Sequence, residues 1–536
     1  MLGYIDWILI AIYFIIVFLV AFWSSFTEKT KSKSSSDYFL AGRNVGWFII
    51  GASLFASNIG SEHLVGLAGT GAASGVAVGQ FEILASLILL LLGWLFVPFY
   101  LKSGVFTMPE FLERRYSSGA RWYLAIISIV GYVLTKISVT IVAGAIVFET
   151  LMGVEFWTGA LIVVIVTGVY TVFGGLRAVL YTDMVQMFIF VGGAITVTVV
   201  GLIELGGIHE LYNLSGPGFM SLWKPMSDPN FPWTGIIFGA PILGVWYWCT
   251  DQFIVQRVLS GKNINESRRG SIFAGYLKLL PLFIFVIPGL IAYALTQKGI
   301  ITLDIPDQAL PTLVGALLPV GLKGIVVAGL LAALMSSLSS VFNSCSTLIT
   351  WDIYKKLNPD VSEKKLVLVG RIATIILVAF GLLWIPMMKL ISGQIYQYLQ
   401  SVQAYISPPI TAIFLVGVLS KRVNSQGAIA SLITGFVLGI ARLILELMKG
   451  SLNGFLYVYA NINFLHFAFL LFLVCTLVLV LVSYLTSQPP FHKVEGLTIH
   501  TTTKEIGGGD EGWRKRDFAL SILLILFVGA IWIYFS

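Results

Sequence analysis

Charged side chains are scarce here: Asp, Glu, Lys and Arg make up 11% of the 536 residues, against 57% hydrophobic and 13% aromatic. A soluble domain carries about a quarter charged residues, so a water-soluble globular fold is excluded. Cysteine is nearly absent. Cys249, Cys345 and Cys475 all lie in apolar runs, which leaves neither a disulfide framework nor a metal-ligand spacing. The five histidines are scattered, and no Ser/His/Asp, HExxH or phosphate-loop pattern occurs in a usable context. An enzyme would need a nucleophile and base within hydrogen-bond reach, and a sensor would need an appended signalling domain. Neither is expected of this chain.

What the chain has is length without polarity. A bilayer-spanning helix needs roughly 20 apolar residues, and fourteen such runs are centred near residues 14, 56, 90, 135, 165, 192, 247, 284, 337, 379, 406, 437, 473 and 525. The expectation is one all-α integral membrane domain over residues 1–536 with about 14 transmembrane helices. The first run follows Met1–Trp7 without a basic n-region or a small-residue cleavage site, which reads as a retained helix rather than a signal peptide. Two polar stretches, from Gly206 to Trp233 and from Pro489 to Arg516, read as surface loops.

Basic residues set the expected orientation. Alternate connections hold Lys29, Lys31, Lys33 and Arg43; Lys102, Arg114, Arg115 and Arg121; Arg177; Arg257, Lys262, Arg268 and Arg269; Lys355, Lys356, Lys364, Lys365 and Arg371; Lys421 and Arg422; and Lys493, Lys504, Arg514, Lys515 and Arg516. These are 25 residues on one side, against five on the other: Lys224, Lys298, Lys323, Lys389 and Lys449. The positive-inside rule makes the rich side cytoplasmic and puts both termini outside, in a multi-pass protein of the plasma (inner) membrane. The formal charge of +7 then reflects loops beside anionic lipid rather than nucleic-acid binding.

Two runs are out of character. Residues 51–66 hold Asn58, Glu62 and His63 among glycines and serines, and the seventh run is interrupted by Trp246-Tyr-Trp-Cys-Thr-Asp251. Polar, helix-breaking sequence at membrane depth is tolerated only where it lines an enclosed cavity. Five helices separate the starts of these two runs, the pattern of two inverted five-helix repeats. The boundaries expected are an extra N-terminal helix at about 5–23, repeats at about 46–205 and 234–420, and C-terminal helices at about 427–535.

Several blocks carry a resemblance: Ala56-Ser-Asn-Ile-Gly-Ser-Glu-His, Gly69-Thr-Gly-Ala-Ala, Gly174-Gly-Leu-Arg-Ala-Val-Leu-Tyr-Thr-Asp-Met-Val-Gln186, Trp246-Tyr-Trp-Cys-Thr-Asp-Gln, Val255-Gln-Arg, Tyr276-Leu-Lys-Leu, Met335-Ser-Ser-Leu-Ser-Ser-Val-Phe-Asn-Ser and Asp352-Ile-Tyr. Collinear from about Asp37 to Arg422, they resemble the sodium/glucose cotransporter family of sodium:solute symporters. The resemblance implies a LeuT-like core with discontinuous first and sixth core helices, sodium coupling, and a sugar or polyol site at the bilayer midplane.

A hexose or cyclitol presents a ring of hydroxyls that each donate and accept, so its site needs carboxylate, amide and ammonium groups around an aromatic platform. By similarity the solute-contacting positions fall on Asn58, His63, Glu82, Tyr247, Lys278 and Gln400, with Trp248 beside them; the inner gate matches Tyr247 and an outer lid matches Phe81 and Tyr396. Each has a plainer reading. Asn58, His63 and Gln400 could be interhelical hydrogen-bond partners, Glu82–Lys278 a structural ion pair, and Phe81 and Tyr396 packing residues. Glu62 is expected to face away from the cavity; the animal glucose carriers have a small residue there, and some polyol and mannose carriers a glutamate. Departures from the family pattern at Ile83, Leu84, Ala85 and Gly244 make two walls less polar, which puts galactose preference in doubt and keeps myo-inositol open.

For sodium, carbonyls freed at a helix break and facing hydroxyls suffice. By similarity these are the carbonyls of Ala56, Ile59 and Ala333 with the hydroxyls of Ser336 and Ser337. Asp183, Ser339 and Ser340 suggest a second sodium or an exit path, although Asp183 could be a cap near a helix end. The expected activity is sodium-coupled symport of a sugar such as glucose, galactose or mannose. The alternatives are myo-inositol, a polyol or another small organic solute.

Overall fold

The computed structural model describes residues 2–26, 43–60, 62–391, 393–501 and 511–536. No β-strand occurs among them, as expected where hydrocarbon forces each backbone group to find its partner within its own segment. Among the described residues, ten helices are long and apolar enough to cross a bilayer: Val76–Ser103, Ser118–Met152, Leu180–Leu205, Ile264–Gln297, Leu322–Leu357, Lys364–Met387, Ile395–Leu419, Ser425–Leu447, Phe464–Leu485 and Arg514–Tyr534. Leu322–Leu357 is almost wholly enclosed by the others, whereas Arg514–Tyr534 turns most of its surface outward.

Of the four remaining expected spans, the one near 14 lies on the helix Tyr4–Phe26, and those near 56 and 247 fall on interrupted helix. The fifth and sixth runs, expected to part at Arg177, lie on one continuous helix, Phe156–Leu205. Its 50 residues extend about 75 Å at 1.5 Å per residue, more than twice the hydrocarbon thickness of about 30 Å. Gly174-Gly175 is the weak point, but glycine lowers helix stability without removing a hydrogen bond.

The two runs singled out for polarity are the two that break. Trp47–Asn58 ends at Ile59 (φ −73°, ψ 83°), and helix resumes with the wide turn Glu62–Leu67 and then Ala68–Ser74. In the seventh run Ala240–Val245 leads into the wide turn Trp246–Thr250, Asp251 is extended (φ −76°, ψ 128°), and Gln252–Leu259 follows. Asp251 caps the new helix, its carboxylate accepting from Phe253 N–H at 3.0 Å, and Tyr132 donates to the same carboxylate.

Close packing at the first break depends on small residues. A Cβ on Gly60 would overlap the Ser337 hydroxyl, and one on Gly289 would overlap the Ala68 carbonyl, the close backbone approach by which membrane helices gain contact without a hydrophobic driving force.

The loops sort onto two ends. At one, Arg268 pairs with Asp517 at 2.7 Å, Lys356 with Glu113 at 2.6 Å and Arg121 with Asp352 at 2.8 Å. At the other, Asp6 accepts from Gly321 and Gly324 N–H at 2.7 and 2.8 Å, and Leu222 N–H reaches the Phe535 carbonyl at 2.8 Å. The Gly206–Trp233 connection, expected as plain loop, contains the helix Ile208–Met220, kinked at Gly216 where φ is 75°. Lys29, Lys31, Lys33 and Lys504 lie outside the described residues.

A buried polar cavity at the two helix breaks

Both interruptions open onto one tight cavity of about 50 Å³, smaller than an open small-molecule site. Its lining includes six of the seven residues expected to touch solute: Asn58 and His63 from the first break, Glu82 from Val76–Ser103, Tyr247 and Trp248 from the second, and Gln400 from Ile395–Leu419; the seventh, Lys278, is not in the lining. Lys278 stands just behind, its ammonium on Glu82 and Asn58 Oδ1.

The groups form one connected network. His63 Nε2 lies 3.1 Å from Glu82 Oε1 and 3.5 Å from Lys278 Nζ, and Asn58 Nδ2 donates to Tyr247 Oη at 3.0 Å. The rings of Tyr247 and Trp248 meet edge to face at 87°, centroids 5.1 Å apart, with Lys278 Nζ 5.4 Å from the Trp248 ring. Such a corner offers a ring face for stacking beside charged groups that match hydroxyls. Across the cavity Phe81 and Tyr396 meet edge to face at 5.9 Å, and Tyr396 approaches the His63 ring at 6.2 Å. Leu84, Ala85, Ile88, Leu243 and Gly244 form an apolar wall; of the departures from the family pattern, Leu84, Ala85 and Gly244 reach the cavity and Ile83 does not.

Glu62 differs from expectation. It lines the cavity and pairs with Lys136, both side chains almost fully buried. The backbone turn Glu62–Leu67 is wound as a π-helix rather than an α-helix, which rotates Glu62 out of the direction that α-helical periodicity assigns it. Lys136 went unread, as did Gln403 beside Gln400 in the lining. A signal existed for the lysine. Setting aside the 30 residues assigned above to loops leaves Lys136, Lys278 and Arg442 of the 33 Lys and Arg inside apolar runs, where a charge marks function or a partner; of those 30, Arg257 is no loop residue but is buried in the helix Gln252–Leu259.

At the first break Gly60 N–H, the amide that would close onto the Ala56 carbonyl in an unbroken helix, turns to Asn58 O at 2.8 Å, whereas Ile59 N–H keeps its helical partner Phe55 O at 2.8 Å. Ser337 Oγ faces the same turn, 3.4 Å from the Ser57 carbonyl, and Ala333 and Ser336 lie on the same buried helix. Ser336 Oγ donates to Asp183. That carboxylate also accepts from Ser53 Oγ at 2.9 Å and Ser57 Oγ at 2.8 Å, residues that went unread. Ser339 and Ser340 are not brought onto Asp183. Ser339 Oγ donates to its own helix at Ser336 O, 3.0 Å, and Ser340 Oγ accepts from Arg257 at 2.8 Å. Arg257 lies 3.9 Å from Asp183.

The sodium:solute symporter family profile matches residues 38–435. The chain belongs to the sodium:solute symporter family. Mouse sodium/glucose cotransporter 4 is 40% identical over 531 residues, 92% of this chain and 77% of that one; mouse sodium/glucose cotransporter 1 is 40% identical over 530, covering 90% and 79%. Human sodium/myo-inositol cotransporter is 39% identical over 543, covering 92% and 75%. Among solved structures, a substrate-bound, outward-open Na+-coupled sialic acid symporter superposes with a TM-score of 0.76 at 22% identity, covering 91% of this chain and 99% of that one. The nucleobase-cation-symport-1 transporter Mhp1 gives 0.51 at 14%, covering 87% and 99%. The symporter thus has the helical LeuT-like fold of these neighbours. It is a multi-pass membrane transporter driven by sodium, not an enzyme.

Proposed function

We propose that this symporter carries a hexose, such as glucose, galactose or mannose, into the cell with sodium by alternating access. The observation that carries the reading is the convergence of a carboxylate, an ammonium, an imidazole and amides around the Tyr247–Trp248 corner where two helices are broken. A sugar hydroxyl both donates and accepts, so it can give a hydrogen to Glu82 while taking one from Lys278, Asn58 or Gln400. A buried ion pair that already satisfies itself loses little when hydroxyls insert, because each bond given up is replaced by another.

In this reading sodium binds at the first break, on the carbonyls of Ala56, Ile59 and Ala333 and the hydroxyls of Ser336 and Ser337. Half-helix ends so arranged are the usual source of cation ligands in discontinuous transporter helices. Tyr247 closes the inner path and Phe81 with Tyr396 the outer one. Asp183, Ser339 and Ser340 serve a second sodium once Arg257 moves off Ser340. The fourteen spans, the two inverted repeats at about 46–205 and 234–420, a plasma-membrane location and extracytoplasmic termini belong to the same proposal.

A second reading, a myo-inositol or polyol carrier, is supported by the 39% identical sodium/myo-inositol cotransporter and by the apolar wall at Leu84, Ala85 and Gly244. Counterflow of labelled hexoses and cyclitols in sodium-loaded proteoliposomes separates the two. Sodium-dependent exchange of a hexose is expected; exchange of cyclitols alone would favour the second reading, and exchange of neither would refute both.

A further inference from the structure

One buried pair has no part in the solute and sodium assignments above. Glu62 follows the first break by two residues and sits with its carboxylate between two neighbourhoods. Its Oε1 holds Lys136, and its Oε2 lies 2.5 Å from where a Cβ on Gly60 would stand, a point that also overlaps the Ser337 hydroxyl. One oxygen is therefore turned toward the turn that carries the sodium ligands and the other toward the Ser118–Met152 helix. Lys136 in turn lies 4.8 Å from the Tyr247 ring, and Tyr247 Oη accepts from Asn58 at 3.0 Å.

We propose that Glu62 and Lys136 form a relay between sodium and the inner gate: Glu62 is an anionic neighbour of the sodium at the first break, and Lys136 is the resident cation that neutralises it when sodium is absent. The inference rests on the sodium site proposed above. The physics is competition for one carboxylate. Buried in low dielectric, Glu62 cannot stand unpaired without a large desolvation penalty, so in the empty carrier the ammonium must stay on it. Sodium arriving at the carbonyls near Gly60 supplies positive charge from the Oε2 side, which weakens the hold of Glu62 on Lys136. The ammonium, already 4.8 Å from the Tyr247 ring while paired, then bears more strongly on that ring. Ion entry in this way changes the electrostatics of the gate across one side chain, without a carboxylate bound directly to the sodium.

Because the two charges oppose each other, their removal shifts sodium affinity in opposite directions. Glu62→Gln should raise the sodium concentration for half-maximal sugar uptake about tenfold, equivalent to about 1.4 kcal/mol. Lys136→Met should lower it, and sodium should protect that variant from thermal unfolding in detergent more strongly than it protects the native protein. Should Lys136→Met fail to fold alone, the double variant Glu62→Gln/Lys136→Met, which leaves no buried charge unpaired, should fold and return half-saturation to within about threefold of native. Ser337→Ala serves as the reference for the sodium site itself. If Ser337→Ala weakens sodium activation but Glu62→Gln leaves it within twofold of native, the relay is wrong and the sodium site stands. If both single variants shift half-saturation in the same direction and their effects add in the double, the relay is also wrong. If Ser337→Ala has no effect, the sodium site falls and the relay with it.

Discussion

Removing Glu82 separates the two roles its pairing with Lys278 could have. The side chains of Lys278 and Glu82 are 1% and 4% exposed, and Glu82 also holds His63 at 3.1 Å. Glu82→Ala leaves the Lys278 ammonium with Asn58 Oδ1, His63 Nε2 and the Trp248 ring, and with no carboxylate in contact. Breaking a buried pair by removing one partner costs about 3–5 kcal/mol of stability. Loss of a hydroxyl partner adds about 1–3 kcal/mol to the free energy of solute binding, roughly fivefold to over a hundredfold in affinity. The variant should therefore unfold at lower temperature in detergent and show little solute exchange. The double variant Glu82→Gln/Lys278→Met removes the unpaired charge, so its thermal unfolding should return toward native. Solute counterflow should remain lost, because no charged hydroxyl partner is restored. Recovery of transport along with stability would show that the pair only holds helices together, and unchanged half-saturation in Glu82→Ala would move the solute site elsewhere.

Gln400→Ala should weaken solute half-saturation by roughly fivefold to over a hundredfold while sodium-dependent thermal protection survives, which a paired transport and unfolding assay reads directly. Tyr247→Phe loses the acceptor for Asn58 but keeps the ring, so solute should still bind with impaired coupled turnover, whereas Tyr247→Ala should lose both; normal accumulation by the alanine variant would refute the gate. Reversal potentials on a solute gradient should give a charge-to-solute ratio of two, falling to one in Ser339→Ala. The second charge would multiply the attainable gradient about fiftyfold at 100 mV, and a native ratio of one would leave Asp183 to Arg257 and its serines. Asp6→Ala removes the acceptor for Gly3, Gly321 and Gly324 N–H and should cost about 2–3 kcal/mol of thermal stability with unchanged transport half-saturation.

Composition and periodicity alone determined that this chain is helical and membrane-embedded, because 57% hydrophobic sequence in runs of about 20 residues has no other stable form in water or lipid. They also located both helix breaks. Asn58, Glu62 and His63 in one run and Tyr247 to Asp251 in the other would be too costly at membrane depth unless they lined a cavity. Which polar side chains meet was beyond periodicity, since Glu82, Lys278 and Gln400 are far apart along the chain and converge only through helix packing. The π-turn at 62–67 shows the limit most clearly. One extra residue per turn rotates Glu62 from the face its α-helical position implies into the cavity, where Lys136, 74 residues away, neutralises it. Likewise, Asp183 reads in sequence as a partner of Ser339 and Ser340 in a second sodium site or exit path, but the fold inserts the Arg257 guanidinium between it and Ser340. Local sequence determines where a helix must break; only the tertiary packing decides which charge compensates each buried charge, because that choice depends on distances of a few ångströms between segments that share no register.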